Sequence, residues 1–158
     1  MKKPFLISFI FISISWNLFA QCNCETINKE NVTIKQCNPL LVGGDKTLHC
    51  GIALGKTGNE KHLSLTIRFI EKAMEVNSKI TIWLQNGNSI DISLFNGGLA
   101  YVGNSQIAQA IYKLDDNIIS KLKDSKIKTI AFTLTDGLRR TYEVKTNSDV
   151  IIEHLKCL

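Results

Sequence analysis

Beyond its first twenty residues the sequence has no long hydrophobic run, no low-complexity linker and no internal repeat. A membrane-spanning helix needs about 20 consecutive apolar residues, so the sequence predicts no transmembrane segment in residues 21–158. The lack of a linker and of repeats argues against several domains. Residues 21–158 are numerous enough to bury a proper core, and we expect them to form one domain.

The sequence also lacks a concentrated basic region. Nucleic-acid-binding proteins concentrate Lys and Arg on one face or helix, whereas here the basic residues are dispersed. Leaving out residues 1–20 removes two of the 19 basic residues and none of the 14 acidic ones, which leaves a net charge of +3. The sequence therefore predicts no nucleic-acid partner.

The first twenty residues have the pattern of a secretory signal peptide. Two lysines precede an apolar run over residues 5–19, and the small residue Ala20 stands before a polar stretch. The run is shorter than a membrane span and is interrupted by three serines and an asparagine. We expect residues 1–20 to be cleaved off, and residues 21–158 to be secreted, periplasmic or exposed at the cell surface.

All five cysteines follow the predicted signal peptide, at positions Cys22, Cys24, Cys37, Cys50 and Cys157. In an oxidising compartment disulfides are the default expectation. Zinc sites normally show ligand pairs such as CxxC at recurrent spacing, and the sequence has none, so it predicts no metal ion and no other cofactor. The alternative is a metal site that combines "CNC" at 22–24 with residues 49–50 and residues 154–157. The odd number leaves at least one cysteine free, paired between chains, or lipidated at Cys22.

The stretch "HCGIALGKTG" at 49–58 resembles a phosphate-binding loop but lacks the first glycine of GxxxxGK[ST], because Cys50 occupies that position. A phosphate loop is followed by a helix, whose N-terminus holds the phosphates. Here "KHLSLTIRFI" follows, and its apolar residues alternate with the period of a strand. We therefore interpret "GKTGNEK" as a hairpin loop.

Residues 22–37 are expected to form a hairpin that a disulfide staples. Two short β-like runs flank the polar turn "NKEN". One register across this turn places Cys22 opposite Cys37, and a slip of two residues places Cys24 there instead. Either bridge leaves Cys50 and Cys157 available for a second, long-range pair, but the sequence does not fix the connectivity.

Two further hairpins are marked by "QNG" at 85–87 and "TDG" at 135–137. Each is predicted to be a three-residue loop with its glycine in the left-handed conformation. This register pairs apolar residues with apolar residues on one face of the hairpin, whereas a two-residue turn at 86–87 would mix apolar and polar residues. The predicted pairs include Ile82 with Ile90, and Ile130 with Tyr142.

The remaining segments predict a turn at 96–98, a strand at 106–114 and two short helices. One helix covers "DDNIISKLKDS" at 115–125. The other covers "NSDVIIEHLKCL" at the C-terminus, with Asn147 or Ser148 as its N-cap. The fold class is therefore α+β, mainly antiparallel β-hairpins with one helix after the fourth core strand and one at the C-terminus.

No catalytic residue is predicted. Nucleophilic catalysis needs a Cys or Ser in contact with a His, and Cys50 with His62 or His154 is available, but no signature surrounds them. Trp83 and Tyr101 are the candidate binding residues, because aromatic side chains on a strand can line a carbohydrate or peptide surface. Trp83 is the stronger candidate, since the register that buries its two neighbours turns it outward.

The sequence thus favours a small, exported, non-enzymatic binding module that is stabilised by disulfides and has a protein or glycan partner. The alternative is an extracytoplasmic enzyme that uses Cys and His, or a metal-binding protein.

Overall fold

The computed structural model describes residues 23–29 and 32–158. The predicted signal peptide and Cys22, with its lipid alternative, lie outside the described residues. The described part of the chain forms eleven β-strands and two α-helices. In chain order they are β1 (Cys24–Lys29), β2 (Val32–Cys37), β3 (Leu40–Gly44), β4 (Leu48–Thr57), β5 (Glu60–Phe69), β6 (Ile80–Leu84), β7 (Ser89–Ile92), β8 (Asn96–Val102), β9 (Ser105–Leu114), α1 (Asp116–Lys123), β10 (Ile127–Thr133), β11 (Arg139–Glu143) and α2 (Val150–Cys157).

The strands form two antiparallel sheets. The larger sheet has the order β1-β2-β4-β5-β9-β8, and β3 also pairs with β4. The smaller sheet has the order β11-β10-β6-β7. The predicted class, α+β with mainly antiparallel sheet and two helices, is therefore confirmed. The position of the first helix is not as predicted, because α1 follows β9 and not the fourth core strand.

The long hairpin β4–β5 lies at the centre of the larger sheet. Its strands pair along their whole length, from Leu48 with Phe69 to Thr57 with Glu60. Apolar side chains alternate along both strands, so that one face of this hairpin is buried in the core. The "GKT" residues continue β4, and the chain turns directly into β5. No helix begins at this point, so the predicted hairpin is confirmed. Its loop is shorter than predicted, because only residues 58–59 lie between the strands and the other residues of "GKTGNEK" belong to β4 and β5.

The two glycine-marked hairpins have the predicted registers. Ile82 pairs with Ile90 between β6 and β7, and Ile130 pairs with Tyr142 between β10 and β11. Gly87 and Gly137 have φ angles of 90° and 78°, which are the left-handed conformations that three-residue loops require. Burial of one apolar face therefore selected the loop length, as the sequence indicates.

The N-terminal hairpin adopts the slipped register. Cys24 is opposite Cys37, and a disulfide joins them. Ile27 pairs with Ile34, and the pairing continues to Lys29 with Val32. Only two residues then separate the paired strands, whereas the first register requires a loop of four. The register that would place Cys22 opposite Cys37 is therefore wrong.

Two local predictions were wrong because tertiary pairing overrides the local signal. Residues 96–98 do not form a turn but begin β8, where they pair with β9. The C-terminal helix has Asp149 as its N-cap, without a side-chain capping hydrogen bond. Asn147 instead donates its side-chain amide to the carbonyl of Leu41, at 2.7 Å.

One hydrophobic core joins the two sheets and both helices. The core includes residues of β4, β5 and β9 from the larger sheet, residues of all four strands of the smaller sheet, and Ile119, Leu122, Val150 and Ile151 from the helices. β1 and β8, the first and last strands in the order of the larger sheet, contribute no residue to it. The smaller sheet and the helices therefore cover the middle of the larger sheet and leave its margins open.

A polar contact connects the β3–β4 turn to the smaller sheet. The carboxylate of Asp45 accepts hydrogen bonds from the backbone N–H groups of Thr47 and Leu48 and from the hydroxyl of Tyr142, the last at 2.8 Å. Hydrogen bonds from Thr47, through its side chain and its backbone, are the largest influence that lowers the pKa of Asp45, to about 2. Asp45 therefore stays ionised and helps to hold β3 against β11.

Candidate binding surface around Trp83

Strand β6 places Trp83 on the outer face of the smaller sheet. Ile82 and Leu84, its two neighbours in sequence, are buried in the core. Because successive side chains of a strand point to opposite faces, Trp83 points away from the core, where it is half-buried. It pairs with Ser89 on β7 and Thr129 on β10. The predicted outward direction of Trp83 is confirmed.

Arg139 lies over the Trp83 ring. Its guanidinium carbon is 5.7 Å from the ring centroid, a cation–π arrangement. The same guanidinium donates a hydrogen bond to the hydroxyl of Thr81, at 3.3 Å. Arg139 begins β11, two strands away from β6 in the smaller sheet. This contact was not predicted from the sequence, because only the pairing of both β6 and β11 with β10 brings the two side chains together.

A cavity of about 360 Å³ adjoins Trp83 at the end of β6 that leads into the hairpin loop. Its volume falls within the range of small-molecule sites, roughly 300–1,000 Å³. Arg139 contacts Thr81, which precedes Trp83, so the cavity and the guanidinium lie toward opposite ends of the strand. The cavity is lined by Trp83, Leu84, Gln85, Gly87, Lys128, Thr129 and Thr141.

The groups around this cavity are chemically mixed. Trp83 offers an aromatic ring, Thr129 and Thr141 offer hydroxyl groups, Gln85 offers an amide and Lys128 an ammonium group. Such a set can stack on a flat apolar face and hydrogen-bond to polar groups at its rim. We call these residues together with Arg139 the Trp83 surface.

Tyr101, the second candidate binding residue, lies elsewhere. It belongs to β8 at the edge of the larger sheet, and 74% of its surface is exposed. Trp83 belongs to the smaller sheet. The two aromatic residues therefore do not form one surface.

The thiol of Cys50 is buried in the core. Cys50 is a free cysteine with 0% exposure, so the second pair with Cys157 that the sequence left open does not form. The alternation of β4 explains this outcome, because it directs Cys50 inward between Leu48 and Ile52. Burial, with a smaller contribution from the charge of Asp45, raises the pKa of Cys50 to about 12. A thiol with this pKa is a poor nucleophile at neutral pH.

His154 has a structural role in the core. β2 pairs with residues 55–57 of β4 and β3 pairs with residues 49–52, which leaves Leu54 between the two partners. The Nδ1 atom of His154 accepts the backbone N–H of Leu54 at 3.3 Å. His154 is 5% exposed, and burial lowers its pKa against an opposing effect of Glu153. The neutral imidazole thus satisfies a backbone donor that no strand reaches.

His62 lies on the opposite face of the larger sheet from Cys50. It pairs with Gly55 across β4 and β5, and its Nε2 atom is 3.1 Å from the side-chain oxygen of Gln36. A Cβ atom on Gly55 would collide with both of these side chains. The glycine of the "GKT" stretch is therefore explained by the His62–Gln36 pair that crosses it. Burial lowers the pKa of His62.

Within residues 23–29 and 32–158, no group of three or more His, Cys, Asp and Glu side chains is arranged to hold a metal ion. Among the same residues, no helix is long and apolar enough to span a membrane.

Comparisons of the chain with protein-family models, with curated proteins and with solved structures find no match.

The His154 contact predicts that the protein loses stability in mild acid. The folded-state pKa of His154 is lowered, so below the unfolded value of about 6.5 the unfolded chain binds more protons than the folded one. The free energy of unfolding should therefore fall as the pH decreases from 7.5 to 5, by at most about 1.4 kcal/mol per pH unit for one proton. Urea titrations at several pH values measure it.

Two variants separate the histidines. His154→Leu should unfold more easily at pH 7.5, by about 1–3 kcal/mol, because the N–H of Leu54 is left buried and unpaired, and its stability should depend less on pH. In His62→Gln, the free energy of unfolding should still fall with decreasing pH, because the contribution of His154 to this dependence is retained. An unchanged slope in His154→Leu would contradict this role.

Cys50 should be inert in the folded protein. At pH 8 a thiol with a pKa of about 12 is ionised to roughly one part in ten thousand. Iodoacetamide should therefore leave Cys50 unmodified in native protein and modify it in guanidinium chloride, as peptide mapping by mass spectrometry would show. Rapid alkylation of Cys50 in native protein would disprove its burial in the core.

Proposed function

We propose that this protein is an exported, non-enzymatic binding module whose Trp83 surface contacts a protein or glycan partner. The supporting observation is the half-buried Trp83 ring on an outer sheet face, with Arg139 on one side and a cavity of about 360 Å³ on the other. An aromatic residue in this position is not needed to fill the core, so its exposed ring area is available to a ligand.

Of the two partner classes, a glycan suits the chemistry of the cavity better. A sugar ring presents a flat C–H face that can stack on Trp83 and a rim of hydroxyl groups. Thr129, Thr141 and Gln85 can exchange hydrogen bonds with such hydroxyls. Lys128 adds a positive charge at the same cavity, which favours an acidic sugar over a neutral one.

The environment of the cysteine and histidines supports a binding role over the alternative of a Cys–His enzyme. Cys50 points into the core, whereas His62 lies on the outer face of the same sheet. The Nδ1 atom of His154 is engaged by the N–H of Leu54. A catalytic pair needs the nucleophile and the base within hydrogen-bonding reach, and neither histidine is arranged as a base for Cys50.

Export is part of this proposal and has its own test. The charged, apolar and small-residue pattern of residues 1–20 supports it. When the chain is expressed from its own N-terminus in a secreting host, the protein recovered outside the cytoplasm should have the intact mass of residues 21–158. Retention of residues 1–20 in a cytoplasmic product would refute export, and a mass increase at Cys22 would reassign the protein to a lipid-anchored form.

The Trp83 surface is tested by ligand binding and intrinsic fluorescence. The sequence has two tryptophans, Trp16 and Trp83, so a protein that begins at residue 21 contains Trp83 as its single tryptophan. We expect acidic oligosaccharides on a glycan array to bind and to change Trp83 emission. Trp83→Ala should weaken the binding at least tenfold, as for aromatic anchors of other interfaces, while Trp83→Phe should keep most of it.

Phe95 provides a matched control. It is an aromatic residue with 60% exposure, and Lys113 lies over its ring at 4.2 Å, much as Arg139 lies over Trp83. Phe95→Ala should leave the affinity unchanged. Equal binding by Trp83→Ala and the unmodified protein would refute the proposal, and unfolding of Trp83→Ala would show that Trp83 is a core residue. Selective binding to peptides would assign the surface to a protein partner.

A further inference from the structure

Strand β8 is an edge strand without the usual protection against pairing with another chain. In natural proteins, charged side chains, proline, bulges or short length prevent an edge strand from pairing with the edge strand of another chain. β8 spans seven residues, Asn96–Val102, contains neither charge nor proline, and pairs with β9 without interruption. The other strands with a free edge each have such a feature: β1, β7 and β11 carry charges, for example Glu25, Asp91 and Arg139, and the five-residue β3 has a bulge in its pairing with β4.

The three largest side chains of β8, Leu99, Tyr101 and Val102, are mainly apolar and exposed. The exposed fractions are 40% for Leu99, 74% for Tyr101 and 62% for Val102. Leu99 pairs with Ala108, which belongs to the core. Leu99 and Tyr101 therefore lie on the same face of the larger sheet as the core, the face that the smaller sheet covers at β9 but not at β8. They remain exposed because the core does not extend to β8. Among the described residues no strand pairs with the outer side of β8, so this margin offers both backbone hydrogen-bonding groups and apolar surface.

Gly98 has no evident role within its own chain. A Cβ atom at this position would meet nothing within 4 Å, and its φ angle is not in the left-handed region. Glycine in the middle of a strand is unfavourable relative to Ala by roughly 0.5–1 kcal/mol. Such a glycine often marks a place where another backbone approaches closely. The approach in this case would come from outside the described chain.

We propose that β8 pairs with β8 of a second copy of this chain, antiparallel and centred on Leu99, to form a two-fold symmetric dimer. In this register Leu99 faces the Leu99 of the partner copy, Tyr101 faces Gly97, and Ala100 faces Gly98. Tyr101 is thus opposite a glycine, and the two Leu99 side chains contact each other at the two-fold axis. Aromatic–glycine pairs across strands are favourable. Because β8 is uncharged, its pairing with itself brings no like charges together.

This proposal concerns a different sheet from the Trp83 surface and does not depend on the proposed ligand. A second copy is favoured over a foreign strand because the size pattern of β8 complements itself when the strand is reversed. The two sheets would join into one continuous sheet across the interface, and Leu99 and Tyr101 of both copies would cover each other.

Sedimentation velocity on the folded protein over a wide concentration range tests the dimer. We expect a monomer–dimer equilibrium, and Leu99→Lys should raise its dissociation constant at least tenfold because two lysines would then face each other at the axis. The matched control is Leu138→Lys, which places the same charge on an exposed apolar residue, 58% exposed, next to the loop between β10 and β11. Circular dichroism confirms that both variants are folded.

Cysteine cross-linking tests the register. Residues directly opposite each other in an antiparallel pair have Cα atoms about 4.5–5.5 Å apart, which a disulfide can bridge. Leu99→Cys should therefore give a covalent dimer under mild oxidation. Val102→Cys should not, because position 102 faces position 96 of the partner copy.

Two results would overturn the proposal. The first is a protein that stays monomeric at all concentrations, including one that instead binds extended peptides along β8. The second is a dimer that Leu99→Lys does not weaken and Leu99→Cys does not cross-link, because its interface would lie elsewhere. Neither result bears on the Trp83 surface, whose ligand binding can be measured on monomers.

Discussion

The architecture depends on one core that is shared by two sheets of unequal width. A sheet needs its apolar face covered by another layer, and here the four-stranded sheet and two short helices cover the middle of the larger sheet. β4 and β5 bury one face along most of their length, whereas β1 and β8 contribute nothing to the core. The unequal width explains why exposed apolar residues collect on β8, where the cover ends.

The same constraint determines how polar groups are satisfied inside the molecule. Two different strands, β2 and β3, pair with β4 along one side and leave a gap at Leu54. A buried, unpaired N–H would cost about 1–3 kcal/mol, and helix α2 removes this cost by placing His154 in the gap. The helix is thus held by its apolar contacts and by a polar contact that fixes its position along β4.

Local sequence signals predicted the hairpins well. The loops at 85–87 and 135–137 combine a turn motif with alternating apolar residues, and both signals lie within a few residues of each other. The strand character of β8 was missed because "NGG" is a turn signal, and only its pairing with β9 overrides it. β3 was likewise not predicted, since its pairing with β4 across a turn at Asp45 decides its conformation.

The candidate site shows the same division between local and non-local information. The outward direction of Trp83 follows from alternation within β6 and was predicted. The contact of Arg139 with that ring was missed because it requires β6 and β11 to flank β10. The free state of Cys50 was also missed, because a count of cysteines does not indicate which of them the core encloses. Sequence reasoning therefore identifies single residues more readily than their partners.

If β8 pairs as proposed, the geometry of the dimer bears directly on binding at Trp83. The two-fold axis of an antiparallel pair within a continuous sheet is perpendicular to that sheet, so both copies present the same face to the same side. The smaller sheets would then lie side by side, and both Trp83 surfaces would point in one direction. Two sites of modest affinity on one face bind a repetitive ligand, such as a polysaccharide, far more strongly than either site alone, provided that their spacing permits simultaneous contact.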